Sequence, residues 1–136
     1  MSKVKRYEFF GNIGEYPIEI FVGDNINEIA DEYGKTYKVK QSDIDRLKFN
    51  EASVIHLENK QVHQDKVVGL IPKDIMGSTV WHESLHLAWY YLDILGVDVD
   101  YKNHEVLAYT QEHVAKNVFE CIAKYKKATT KKRKTK

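Results

Sequence analysis

The sequence predicts an α+β domain: a small antiparallel or mixed sheet from the N-terminal half, packed on a long helix that is followed by a second long helix. Three observations predict it. β-branched and aromatic runs separated by a Gly/Asn turn open the chain, apolar residues recur at helical spacing from Asp74 to Leu95, and the same spacing returns after Asn103.

Taken in order, Tyr7–Phe10 and Pro17–Val22 flank Gly11-Asn12-Ile13-Gly14 and read as a hairpin. Asp24 is placed to cap a short helix over Ile26–Tyr33, with Gly34 as its stop. Residues 36–40, 52–58 and 66–71 are strand candidates, the last closed by Pro72. In the helix from Asp74 to Leu95, Ile75, Trp81, Leu85, Ala88, Trp89 and Leu92 recur at three and four, and Gly96 ends it. It is apolar over most of its circumference, which predicts a central, largely buried position. After a loop over 97–102, Asn103 is a candidate N-cap for a second helix on which Ala108, Ala115, Phe119 and Ile122 line one face.

With 136 residues the chain has room for one domain and one core, expected over residues 1–123. Its net charge of +1 hides an asymmetry. Eight of the 21 basic residues and none of the 20 acids fall in 124–136, which leaves 13 against 20 in the body and predicts a disordered basic tail. Eight positive charges give such a tail the means for weak, sequence-independent nucleic-acid contact. Its single cysteine, Cys121, excludes an intrachain disulfide and a structural zinc site built on several cysteines of this chain. It sits among apolar neighbours and reads as core. A cytoplasmic location is expected, because Glu8, Gly11 and Glu15 break any leader-like run, and no apolar run approaches the roughly 20 residues of a membrane span.

The most informative residues are His82-Glu83-Ser84-Leu85-His86, an HExxH pattern inside the first long helix. At about 100° per residue, side chains four apart differ by about 40°, so both imidazoles can reach one metal ion from one face. Glu83, one residue on, can reach a water molecule at that ion without ligating it, as a general base must. Two histidines plus one further donor make a catalytic rather than a structural zinc site. That third donor is sought among Glu105, in the first turn of the second helix, its neighbour His104, and the loop acids Asp98 and Asp100. Tyr109 and His113 fall one and two turns after Glu105, where either is placed to donate to an oxyanion or to orient a ligand. His56 and His63 read as surface or strand residues without a role.

These residues resemble the gluzincin branch of the zincin metallopeptidases, in which a glutamate on a later helix completes the HExxH site. The stretch from Ile75 to Tyr109, with Asn103-His104-Glu105 and Ala108-Tyr109 after the motif, is also similar to small phage-encoded HExxH proteins. About a third of the chain carries the resemblance. It implies a minimal zincin-like fold, Zn2+ held by His82, His86 and Glu105, Glu83 as the base, and hydrolysis of peptide bonds in a protein or peptide substrate. In that family a sheet edge beside the motif helix holds the substrate as an added strand, a role open to 52–58 or 66–71. One departure is Tyr109, which stands where the family's helix often carries an aspartate. The metzincin pattern is excluded, since it needs Gly and His where this chain has Trp89 and Leu92. The alternative is a zincin-like module that binds or regulates without catalysis.

Overall fold

A computed structural model describes residues 3–14, 16–59 and 64–134. His63 lies outside them. The described residues are α+β, with four strands in one mixed sheet and four helices among them. β1 (Lys5–Phe10) and β2 (Pro17–Gly23) form the expected antiparallel hairpin. From β2 the chain runs through α1 (Ile26–Tyr37) and α2 (Gln41–Leu47) to β3 (Ser53–Asn59) and returns along β4 (Gln64–Pro72). β4 lies parallel to β2 and antiparallel to β3, so the sheet order is β1-β2-β4-β3. α3 (Gly77–Ile94) and α4 (His104–Lys134) follow.

Alternation along the strands sorts the side chains into two cores. Ile18, Ile20, Val22, Val67 and Ile71 pack under α3 and α4, with Val80, Leu87, Tyr91, Val114 and Val118. Phe21, Val68 and Leu70 face the other way, onto Ile29 and Tyr33 of α1. β4 is paired on both sides. The edges are β1 and β3, so of the two segments considered for holding an added strand 52–58 is the one that contains an edge strand.

Several expectations are corrected. The cap of α1 is Asn25, whose Oδ1 accepts the Glu28 N–H at 3.0 Å, and not Asp24. Gly34 is not a stop: it is buried inside α1, and a Cβ there would meet Ile44 Cδ1 at 2.2 Å, so it lets α2 pack closely. The helix ends instead at Lys38, in the left-handed region with φ 54°. Residues 36–40 are therefore helix end and connection rather than strand, and α2 was not expected.

α3 is buried on one side only, along Val80, Ser84, Leu87, Ala88, Tyr91 and Leu92. Trp81 and Trp89, expected inside, are 44% and 48% exposed, because sheet and α4 cover only part of the helix circumference. On α4 the core line runs through Val114, Ala115, Val118, Cys121 and Ile122, while Ala108 and Phe119 face outward. Nor does order end at residue 123. The helix continues to Lys134, and Tyr125, fully buried, donates to Asp24 Oδ1 at 2.9 Å.

The hairpin turn is tied down by both long helices. Tyr91 Oη donates to the Ile13 carbonyl, and Gly11 is needed there because a Cβ would fall 2.1 Å from the Tyr91 ring. Thr110 Oγ1 donates to Asn12 Oδ1 at 3.0 Å, and His113 Nε2 meets the Phe10 carbonyl at 2.8 Å.

Candidate metal centre

α3 carries the motif on its open side. His82 and His86 are exposed, their ring centroids are 5.0 Å apart, and their Nε2 atoms approach to 3.3 Å. Two imidazole nitrogens bound to one tetrahedral zinc at about 2.0–2.1 Å each lie about 3.3–3.4 Å apart, so the pair has the bite of a chelate. The same separation also suits one N–H···N hydrogen bond between rings in opposite tautomers. Either way both rings stand on the exposed side of α3 and not in the core.

Glu83 is half-buried on α3, facing the connection that precedes β3. Burial pushes its carboxyl above the usual carboxylate range, and the neighbouring His82 and His86 pull it part of the way back. A carboxylate so raised is a better proton acceptor than a solvated one.

Beside it opens a cleft of about 500 Å³ lined by Asn50, Glu51, Ala52, Ser78, Thr79, His82 and Glu83. The sequence did not single out Ser78 and Thr79, yet each lies four residues before a motif residue, His82 and Glu83, so helical spacing alone puts them on the same face. Asn50 and Glu51 come from the connection before β3 and carry no such signal.

The expected third donor is not gathered with the histidines. Among the described residues, no group of three or more His, Cys, Asp or Glu side chains is placed to hold a metal ion. Two contacts set the helix register: Gln111 Nε2 donates to the Trp81 carbonyl at 3.1 Å, and the Phe119 ring lies 3.8 Å from where a Gly77 Cβ would stand. The two contacts run α4 antiparallel to α3, so Glu105, six residues before Gln111, lies from the level of Trp81 toward the His86 end of the motif. It is exposed in the first turn of α4.

The other candidates are distributed as follows. His104 is exposed, its ring tilted 6.4 Å from that of Tyr101. Asp100 Oδ1 accepts the N–H groups of Lys102 and Asn103 at 2.8 and 3.1 Å, which commits it to the loop. Asn103 turns its own Oδ1 back to the Asp100 N–H, not to the first turn of α4, and its amide donates to the Asp98 carbonyl. Tyr109 is 63% exposed. His113, bonded to Phe10 and set edge-on to the Phe9 ring at 6.3 Å, serves the hairpin and not the motif face. Cys121 is buried, as expected, and its thiol is pushed up to about 11 by that burial. His56 stands on β3 with its ring 5.9 Å from that of Tyr90 and 3.5 Å from Asp65 Oδ2.

No protein-family model, curated protein or solved structure matches this chain. No helix among the described residues is long and apolar enough to cross a membrane.

Proposed function

We propose that this chain is a zinc-dependent peptide hydrolase of minimal zincin-like architecture, with His82 and His86 as metal ligands and Glu83 as general base. The observation that carries the reading is the 3.3 Å separation of the two Nε2 atoms on an open helix face, with a half-buried, proton-avid carboxyl one residue on. A zinc ion held by His82 and His86 would supply Lewis acidity to a scissile carbonyl and to water. Glu83 takes the proton from the attacking water and returns it to the leaving amine.

Glu105 is the third donor in this reading. Its place in the first turn of α4, the helix packed against α3, supports it over Asp100, whose Oδ1 is already bonded within the loop. Tyr109, exposed one turn further, is the remaining candidate to donate to the developing oxyanion. The substrate is an extended polypeptide added to the edge strand β3, and the connection that leads into β3, Asn50 to Ala52, borders the cleft that Glu83 lines. A reducing cytoplasm suits a chain whose one thiol is buried.

The second reading, a zincin-like module that binds or regulates without turnover, is favoured by the position of Glu105 outside any three-residue donor group. Glu83→Gln separates the two. Hydrolysis of a mixed peptide library by the wild type, lost in the variant while zinc content is unchanged, supports the hydrolase. A function that survives Glu83→Gln supports the binding module.

A further inference from the structure

We infer that the C-terminal end of α4 is a rigid arm that binds duplex DNA through its phosphate backbone, independently of the metal centre. The arm begins where the core ends. Tyr125 is fully buried and bonded to Asp24, and after it the helix runs on to Lys134. At about 1.5 Å per residue, residues 126–134 project about 13 Å past that anchor. The backbone direction of the arm is thus fixed by the body.

Its chemistry is uniform. Between 124 and 134 there are seven Lys or Arg and no acid, and in the same stretch Ala128 is the one apolar residue beyond Tyr125. Lys124, Lys127, Lys131 and Lys134 recur at three, four and three, the spacing of one helical face, while positions 126, 132 and 133 fall elsewhere on the circumference. Lys124, Lys126 and Lys127 are exposed, Lys126 lying 3.7 Å from Asp74 Oδ1. A helix with basic positions on several sides of its circumference suits a groove with phosphates on both walls. The B-form major groove, about 12 Å wide, admits such a helix, whereas the major groove of an A-form RNA duplex is too narrow. A membrane surface fits less well, because an interfacial helix needs an apolar face to bury and this segment has none.

The body argues that any such binding belongs to the arm. Residues 1–123 carry 13 basic side chains against 20 acids, so the rest of the chain repels a polyanion. Attraction concentrated in one projecting element, on a repelling body, orients the complex with the arm toward the nucleic acid.

The test uses the full chain and a fluorescent 20-base-pair DNA duplex, with anisotropy read from 25 to 300 mM salt. An arm of about 13 Å faces roughly four phosphates on each wall and carries six cations in 126–134, enough to neutralise about four to six phosphates, so the logarithm of the binding constant should fall against log salt with a slope of about −4 to −5. Lys127→Glu/Lys131→Glu/Lys134→Glu should weaken binding at least tenfold, and Arg at the same three positions should retain it. Circular dichroism checks that each variant folds. Should the Glu variant not fold, the Arg variant and the wild-type salt slope decide. No binding at 25 mM salt, a slope near zero, or an unchanged affinity in a folded Glu variant overturns the inference. So does tighter binding to an RNA duplex, or to phosphatidylserine vesicles at equal phosphate.

Discussion

Tyr125 and Asp24, 101 residues apart in sequence, meet through a hydrogen bond of 2.9 Å that fastens α4, nine residues before its end, to the residue that follows β2. Lys73, after β4, comes to 3.3 Å of the same carboxylate. The Tyr125 hydroxyl first, and Lys73 with it, hold the Asp24 carboxyl below the usual carboxylate value. A carboxyl depressed in the folded state adds stability above its unfolded pKa of about 4, and that stability is lost as pH falls through the lower folded value. Tyr125→Phe should therefore cost about 1–2 kcal/mol at pH 7, and the cost should shrink as pH drops below about 4. Urea denaturation of both proteins from pH 7 to pH 2.5 measures it.

Gly34 is the position where α1 and α2 touch. An alanine there places its Cβ against Ile44 Cδ1 and Cγ1, at 2.2 and 2.8 Å, and α2 must move. Gly34→Ala should cost about 1–3 kcal/mol by overpacking, despite alanine's better helix propensity. In the Ile44→Ala background the same substitution should cost little. A double-mutant cycle read by thermal melting gives the coupling, and additive effects would contradict the packing account.

Glu19 is 4% exposed on β2, and its charge is met by the Tyr37 hydroxyl at 2.6 Å and Arg6 Nη2 at 3.0 Å, with Lys66 Nζ at 3.8 Å. Tyr37→Phe removes the shortest of these bonds and leaves one carboxylate oxygen without that donor. The expected loss is about 2 kcal/mol, seen as a lower urea midpoint with an unchanged slope.

How much of this was legible depends on the length of each signal. The hairpin, β3, β4 and both long helices were readable because each repeats its period over several residues, and the Gly96 stop holds, with φ at 75°. Gly34 misled because a glycine at the end of an amphipathic run usually marks a helix end, and only the contact with Ile44 shows its packing role. α2 has seven residues and few apolar ones, too short for periodicity to speak. The extension of α4 was missed since Lys-rich composition suggests disorder, while one tyrosine and one hydrogen bond from 101 residues away anchor its start. At the motif, local spacing sufficed to bring His82 and His86 together. Placing Glu105 required the relative register of two helices, which no single stretch of sequence encodes.

In the proposed function the two imidazoles of His82 and His86 hold one divalent ion between them. Elemental analysis of the purified full chain, dialysed against zinc and then against metal-free buffer, tests it most directly beside His86→Ala. The account predicts about one zinc per wild-type chain, for a site of protein nitrogen and oxygen donors, and loss of that zinc in a variant that still folds. A wild type that holds no zinc, or a folded variant that holds as much as the wild type, would contradict it.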